Sequence, residues 1–159
     1  MKTCLRLLVI LVAAVCLAGC DKMRQRENFQ RDLGAAVKSA LATNQPSIQI
    51  SSLTRFEWDK VYFFHPYTPP DAIDKELGFK WKAGVKTEIE SNDGFTLVVF
   101  VKKGEVVQYA RIRGNLGHWN LDERNGFASG EDVFELERQP SHSEIMFHVK
   151  RTNSLPITR

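Results

Sequence analysis

Phe95-Thr96-Leu97-Val98-Val99-Phe100-Val101, then Lys102-Lys103-Gly104-Glu105, then Val106 to Arg113, is the stretch that decides the fold. Seven β-branched, aromatic and aliphatic residues lead into a short polar break with a glycine, and a second β-rich run follows, which predicts a hairpin with a bulge at Gly104. Towards the C-terminus, Val133–Arg138 and Ile145–Lys150 predict two further strands. In the latter, Ile145, Phe147 and Val149 alternate with Met146, His148 and Lys150, and the turn falls at Gln139-Pro140-Ser141. Towards the N-terminus, Ile48 and Ile50, then Phe56 and Trp58, alternate with polar neighbours ahead of Val61-Tyr62-Phe63-Phe64, with a break at Ser51-Ser52. Thr68-Pro69-Pro70-Asp71 predicts a helix start, with Thr68 capping and Pro69 at the first helical position, where no amide proton is needed. Ile73 and Leu77 share one face of that helix, and Gly78 ends it. Phe29, Leu33, Ala36, Val37, Ala40 and Leu41 recur at three-and-four spacing, so Met23 to Leu41 reads as an amphipathic helix. The fold class is therefore α+β: an antiparallel sheet of about four to six strands with an N-terminal amphipathic helix and a short second helix.

Upstream of the amphipathic helix stand a basic start at Lys2 and Arg6, an apolar run from Leu7 to Leu17, and Leu17-Ala18-Gly19-Cys20. This pattern resembles the lipobox of bacterial lipoproteins. The resemblance implies a diacylglycerol thioether on Cys20, cleavage just before it, and acylation of the new amine, so that Cys20 becomes the first residue of the mature chain. An ordinary secretory signal and a retained membrane helix are the competing readings. A spanning helix needs about 20 apolar residues, and Gly19, Cys20, Asp21 and Lys22 interrupt this run too early. The organisation that follows is a signal peptide at 1–19, a lipidated N-terminus and short tether at 20–28, a single α+β domain at 29–151 and a flexible tail at 152–159. In enteric bacteria an aspartate directly after the lipidated cysteine resembles the signal for inner-membrane retention. Asp21 therefore implies a lipid-anchored domain on the periplasmic face of the inner membrane if the source is Gram-negative, with the outer membrane as the alternative.

The whole chain carries 22 Lys and Arg against 19 Asp and Glu, and losing Lys2 and Arg6 with the signal leaves a mature net charge of only +1. Such a balance does not point to nucleic acid as a partner. Cysteines stand only at 4, 16 and 20. A chain that begins at Cys20 then has no disulfide, no thiolate zinc site and no cysteine nucleophile, so packing alone must hold the core. The mature length of 140 residues suits one domain with a substantial core.

Phe56-Glu57-Trp58-Asp59-Lys60-Val61-Tyr62-Phe63-Phe64-His65-Pro66-Tyr67, with Gly78-Phe79-Lys80-Trp81 after the short helix, resembles a segment of small uncharacterised bacterial lipoproteins, which implies no particular activity. Trp58, Phe63, Tyr67, Phe79 and Trp81 read first as core surfaces that fix how strand meets helix. Gly114 to Gly130 holds four glycines and three asparagines and reads as the longest loop. His118 and Trp119 inside it, together with Tyr67, are the candidate contacts for a partner or ligand, since an exposed aromatic can be a binding hot spot. The histidines at 65, 118, 142 and 148 lack metal-helix spacing, and no nucleophile elbow or phosphate loop is present. Glu57 with Asp59, or Asp122 with Glu123, are acid pairs of a kind ordinary on solvent faces. These readings predict no catalytic residue, no metal and no cofactor. They point instead to a non-enzymatic, membrane-anchored protein-interaction or accessory module of the envelope, whose partners are the membrane, through the acyl chains on Cys20, and another envelope protein. A binder of a small apolar ligand is the second reading and a small enzyme the third.

Overall fold

The computed structural model describes residues 2–44, 46–121, 126–138 and 145–149, with side chains described from residue 19 to 148. The expected turn at 139–141, the acid pair Asp122–Glu123, His142 and the tail at 152–159 lie outside the described residues. In chain order the elements are helix α1 (Lys2–Ala40), β1 (Ser47–Gln49), β2 (Lys60–Phe64), helix α2 (Pro70–Leu77), β3 (Phe95–Lys102), β4 (Glu105–Arg113), β5 (His118–Asn120), β6 (Phe127–Ala128), β7 (Val133–Arg138) and β8 (Ile145–Val149), with short 3-10 turns between them. The class is α+β, as the sequence patterns predict. The strands are divided between two four-stranded sheets: β4-β3-β2-β6, antiparallel throughout, and β1-β7-β8-β5, in which β5 runs parallel to β8.

The β3–β4 hairpin is confirmed with one correction. Lys103 and Gly104 both have positive φ, 51° and 76°, and form a two-residue connection of the type whose twist matches the flanking strands. The bulge lies instead at Val107, where the pairing steps from Phe100 with Gln108 to Val101 with Val106. An extra residue on one strand leaves two successive side chains on one face. Val107 packs against the main core, and Gln108 beside it donates from Nε2 to the Lys22 carbonyl of α1 at 2.7 Å.

Two other local expectations shift by a residue or more for identifiable reasons. α2 starts at Pro70 rather than Pro69, because a residue preceding proline is held out of the helical region; Pro69 is extended at φ −72°, ψ 152°. Thr68 does not cap, since its hydroxyl donates to the His65 carbonyl at 2.7 Å. At the other end Gly78 adopts φ 79° and closes the helix as expected, its N–H donating to the Asp74 carbonyl. Strand β2 begins only at Lys60, although Trp58 is buried as its alternation predicts. Its indole N–H donates to the Thr54 hydroxyl at 3.0 Å, which holds 54–58 in an irregular arch before pairing with β3 starts at Asp59 N–H to Val101 carbonyl.

The sheet β4-β3-β2-β6 is covered on both faces, which is why β3 is buried almost end to end. One face carries the main core. Phe29, Leu33 and Val37 of α1 join Phe63 of β2, Phe100 of β3, and Phe134 and Phe147 of the other sheet. The opposite face carries a second core beneath α2, with Ile73, Leu77 and Ile89 over Tyr62, Phe64, Leu97 and Val99. α1 contacts both β4 and β1, strands at the edges of the two different sheets, and so protects edges that would otherwise be open to pairing. Residues 20–28, read as a tether, are helical throughout and belong to α1.

The stretch 114–130 carries structure where a long loop is expected. β5 and β6 lie within it and join different sheets. Gly117 is required there: its φ is 129°, and a Cβ would fall 2.4 Å from Phe147 Cε2 and 2.6 Å from the Ile145 carbonyl. That close approach lets β5 lie beside β8.

Candidate functional site

The candidate contact pair His118–Trp119 separates across β5. His118 is exposed, and Trp119 is only 2% exposed. The Trp119 indole stacks between Phe63 at 4.3 Å and Phe147 at 4.1 Å and meets Phe134 edge-on at 5.1 Å, so it joins the two sheets and is withdrawn from any partner. This corrects its reading as an exposed contact; a glycine-rich setting suggests a loop, but the strand alternation of 118–120 turns the aromatic inward. Its indole N–H is buried without a hydrogen-bond acceptor among the described residues. Tyr67 does remain 61% exposed, with a left-handed backbone at φ 64° and its N–H bonded to the Ile89 carbonyl. Its neighbours belong to the second core and those of Trp119 to the main one, so the structure does not bring the two together. Cys20 is exposed. Asp21, next to it, is engaged within the helix, its two carboxylate oxygens accepting from Arg24 Nη2 and Gln25 Nε2 at 2.7 Å each.

The carboxylates Glu57 and Asp59 border an open recess of about 410 Å³ with Ser51, Thr54 and Ser129. Both are engaged: Glu57 pairs with Lys102, and Asp59 accepts the Lys103 N–H at 2.7 Å. The hydrogen bond and charge of Lys102 hold the Glu57 carboxyl below the ordinary carboxylate range, the reverse of what a general acid needs. Tyr62 is shifted the other way, above the ordinary phenol range, by burial and then by the charge of Glu76. Asp132 is fully buried beside this region and accepts the N–H groups of Ser51 and Gly130. Its carboxylate fastens the turn after β1 to the turn before β7. Among the described residues, no group of three or more His, Cys, Asp or Glu is placed to hold a metal ion. His148 Nε2, itself shielded from solvent, lies 3.3 Å from a Glu137 carboxylate oxygen, a proximity across β7 and β8.

A larger cleft, about 730 Å³, lies at the C-terminal end of β4. Its construction follows from strand alternation. Ile112 turns into the main core, so Arg111 and Arg113 project from the other face. Arg111 lies over the Phe95 ring at 5.1 Å, donates to the Lys86 carbonyl at 3.3 Å and approaches Glu88 at 3.6 Å. Arg113 is exposed and has no ion-pair partner among the described residues. Gln30 of α1 donates to the Arg111 carbonyl at 2.6 Å and forms one wall, while Asn92 and Asn115 add carboxamides. Among the described residues no carboxylate lines the cleft itself, and Glu88 reaches its edge through Arg111. Guanidinium and carboxamide groups at this density can bind carboxylate or phosphate oxygens. Sequence inspection missed this site although its signal was present: Arg-Ile-Arg at 111–113 at the end of an alternating strand puts two cations on one face. The contribution of Gln30, which lies 81 residues away, has no such signal.

Phe63, Trp119, Phe127, Phe134 and Phe147 fill the gap between the sheets with ring centroids 4.1 to 6.0 Å apart. No helix among the described residues is long and apolar enough to cross a membrane. Compared with protein-family models, with curated proteins and with solved structures, the chain matches none.

Proposed function

We propose that this protein is a lipid-anchored envelope module without catalytic activity, attached to the membrane through Cys20 and binding an acidic segment of another envelope protein in the Arg111–Arg113 cleft. The observation that supports it is the continuity of α1 from Cys20 into the folded domain. Only two residues beyond Cys20, the Lys22 carbonyl already accepts the Gln108 side chain, so a lipid on Cys20 holds the domain directly at the bilayer. At about 1.5 Å of rise per residue, Gln30 and its cleft stand about 15 Å further along the helix. Two or three acyl chains on Cys20 make attachment nearly permanent, at about 0.8 kcal/mol per buried methylene. Asp21 then selects the inner membrane, with the domain on its periplasmic face in a Gram-negative cell.

Cys20→Ala tests the anchor. Palmitate incorporation is expected to disappear and the precursor to accumulate; incorporation equal to that of the unsubstituted chain would refute lipid attachment at Cys20. Asp21→Ser is expected to move the protein to the outer-membrane fraction. For the cleft, crosslinking in intact membranes is expected to yield a partner adduct that Arg111→Glu with Arg113→Glu removes, while an adduct unaffected by both charge reversals would place the partner elsewhere.

A further inference from the structure

A second surface, which meets the cleft only where Arg111 donates to the Lys86 carbonyl, leads away from the anchor. Cys20, Met23 and Arg26 follow one another at three-residue steps and are neighbours along one side of α1. Met23 is 56% exposed, an unusual state for a large apolar side chain in this molecule. The Arg26 guanidinium lies 3.9 Å from the Tyr109 ring centroid, and Tyr109 meets the Trp81 indole edge-on at 5.4 Å. Trp81 in turn covers Gly84, where a Cβ would come within 3.1 Å of the indole, and the next residue, Val85, is 67% exposed. A stripe of Met23, Arg26, Tyr109 and Trp81, with Val85 exposed just beyond Gly84, therefore runs from near the lipid site onto the outer face of the second core. Neither core absorbs Met23 or Val85, and Trp81 and Tyr109 are only half-buried.

We propose that this stripe rests in the headgroup layer of the bilayer that holds the lipid of Cys20. The proposal rests on the lipid-anchor reading. Tryptophan and tyrosine rings favour the membrane–water boundary, arginine suits the phosphate level, and exposed apolar side chains gain by entering the acyl margin. Because the anchor keeps the stripe at high local concentration against the surface, a contact too weak to bind membranes alone is enough to orient the domain.

Tryptophan emission reports directly on this contact. Trp58 and Trp119 are 7% and 2% exposed inside the main core, so Trp81 is the accessible fluorophore among the three. The full chain, purified with its lipid and reconstituted into phosphatidylethanolamine–phosphatidylglycerol vesicles, is to be compared with the same vesicles carrying brominated acyl chains. Bromolipid is expected to quench roughly a third of the emission, one tryptophan of three, and Trp81→Phe is expected to abolish that quenching. Val85→Asp, at an exposed position that leaves packing intact, is expected to reduce it by about half or more with flotation unchanged. A chain that floats with the vesicles while Trp81 stays insensitive to bromolipid and open to aqueous acrylamide overturns this orientation and leaves the anchor standing. A chain that carries no lipid by mass spectrometry and does not float overturns the anchor and this inference together.

Discussion

The two faces of the sheet β4-β3-β2-β6 bury their side chains in different ways. The main core is assembled from residues between Phe29 and Phe147 and is built around a cluster of rings, with Phe100 taking edge contacts from Phe29, Phe56 and Trp58 at 5.0 to 5.6 Å. The second core uses buried residues from Tyr62 to Val101 only, most of them aliphatic, and is closed by a helix of 8 residues. Neighbours in sequence are brought together at little cost in chain entropy, whereas the main core requires the second sheet and α1 to dock across long separations. Large rigid aromatic surfaces suit that second task, because each buries much area and offers a preferred geometry for interlocking. One sheet thus carries a local core on one side and on the other a long-range core that makes the chain a single unit.

The sharpest way to break this contrast is at the joint between the sheets. Trp119→Ala is expected to cost about 3–5 kcal/mol, a large part of the roughly 5–15 kcal/mol that holds a typical domain together. Urea denaturation of the full chain in detergent measures it. A loss under about 1 kcal/mol would mean that the stack on Phe63 and Phe147 is not what joins the two sheets.

A smaller effect is expected on the local side. Ile73→Val removes one methylene beneath α2, at a cost of about 0.5–1.5 kcal/mol. Native-state hydrogen exchange should show lost protection concentrated between residues 60 and 102, with α1 and β7 little changed. Equal loss across α1 and β7 would show instead that the two cores open as one cooperative unit.

The smallest effect lies outside both cores, at the Glu57–Lys102 pair. Glu57 titrates below its ordinary range in the folded chain because Lys102 donates to it and adds its charge. A lowered folded pKa contributes stability that is present above the unfolded value, about 4.3 for glutamate, and is lost as pH falls through the folded value. Glu57→Gln should therefore flatten the acid side of the stability–pH profile slightly and leave the low-pH end unchanged. An unaltered slope between about pH 5 and pH 2 would show that solvent screens the pair completely.

These contrasts also sort what could be read from the chain before its structure. The β3–β4 hairpin, α2 with its Gly78 terminator, the apolar face of α1 and the burial of Trp58 follow from spacing and local backbone preference, which act between near neighbours. The small shifts have local causes as well: Pro70 constrains Pro69, and the Thr68 hydroxyl is taken by His65. By contrast, the division of strands into two sheets, the parallel pairing of β5 with β8 and the inward turn of Trp119 depend on partners far along the chain, such as Phe147 for Trp119 and Met146 for His118, each 28 residues away. Periodicity says which face of a strand is apolar and not which strand will cover it. The lipobox residues are likewise a local pattern that needs no fold to be recognised. The Arg111–Arg113 cleft and the stripe from Met23 to Val85 exist only because α1 lies along β4, and that placement follows from burying Phe29, Leu33 and Val37 against a sheet formed by the rest of the chain.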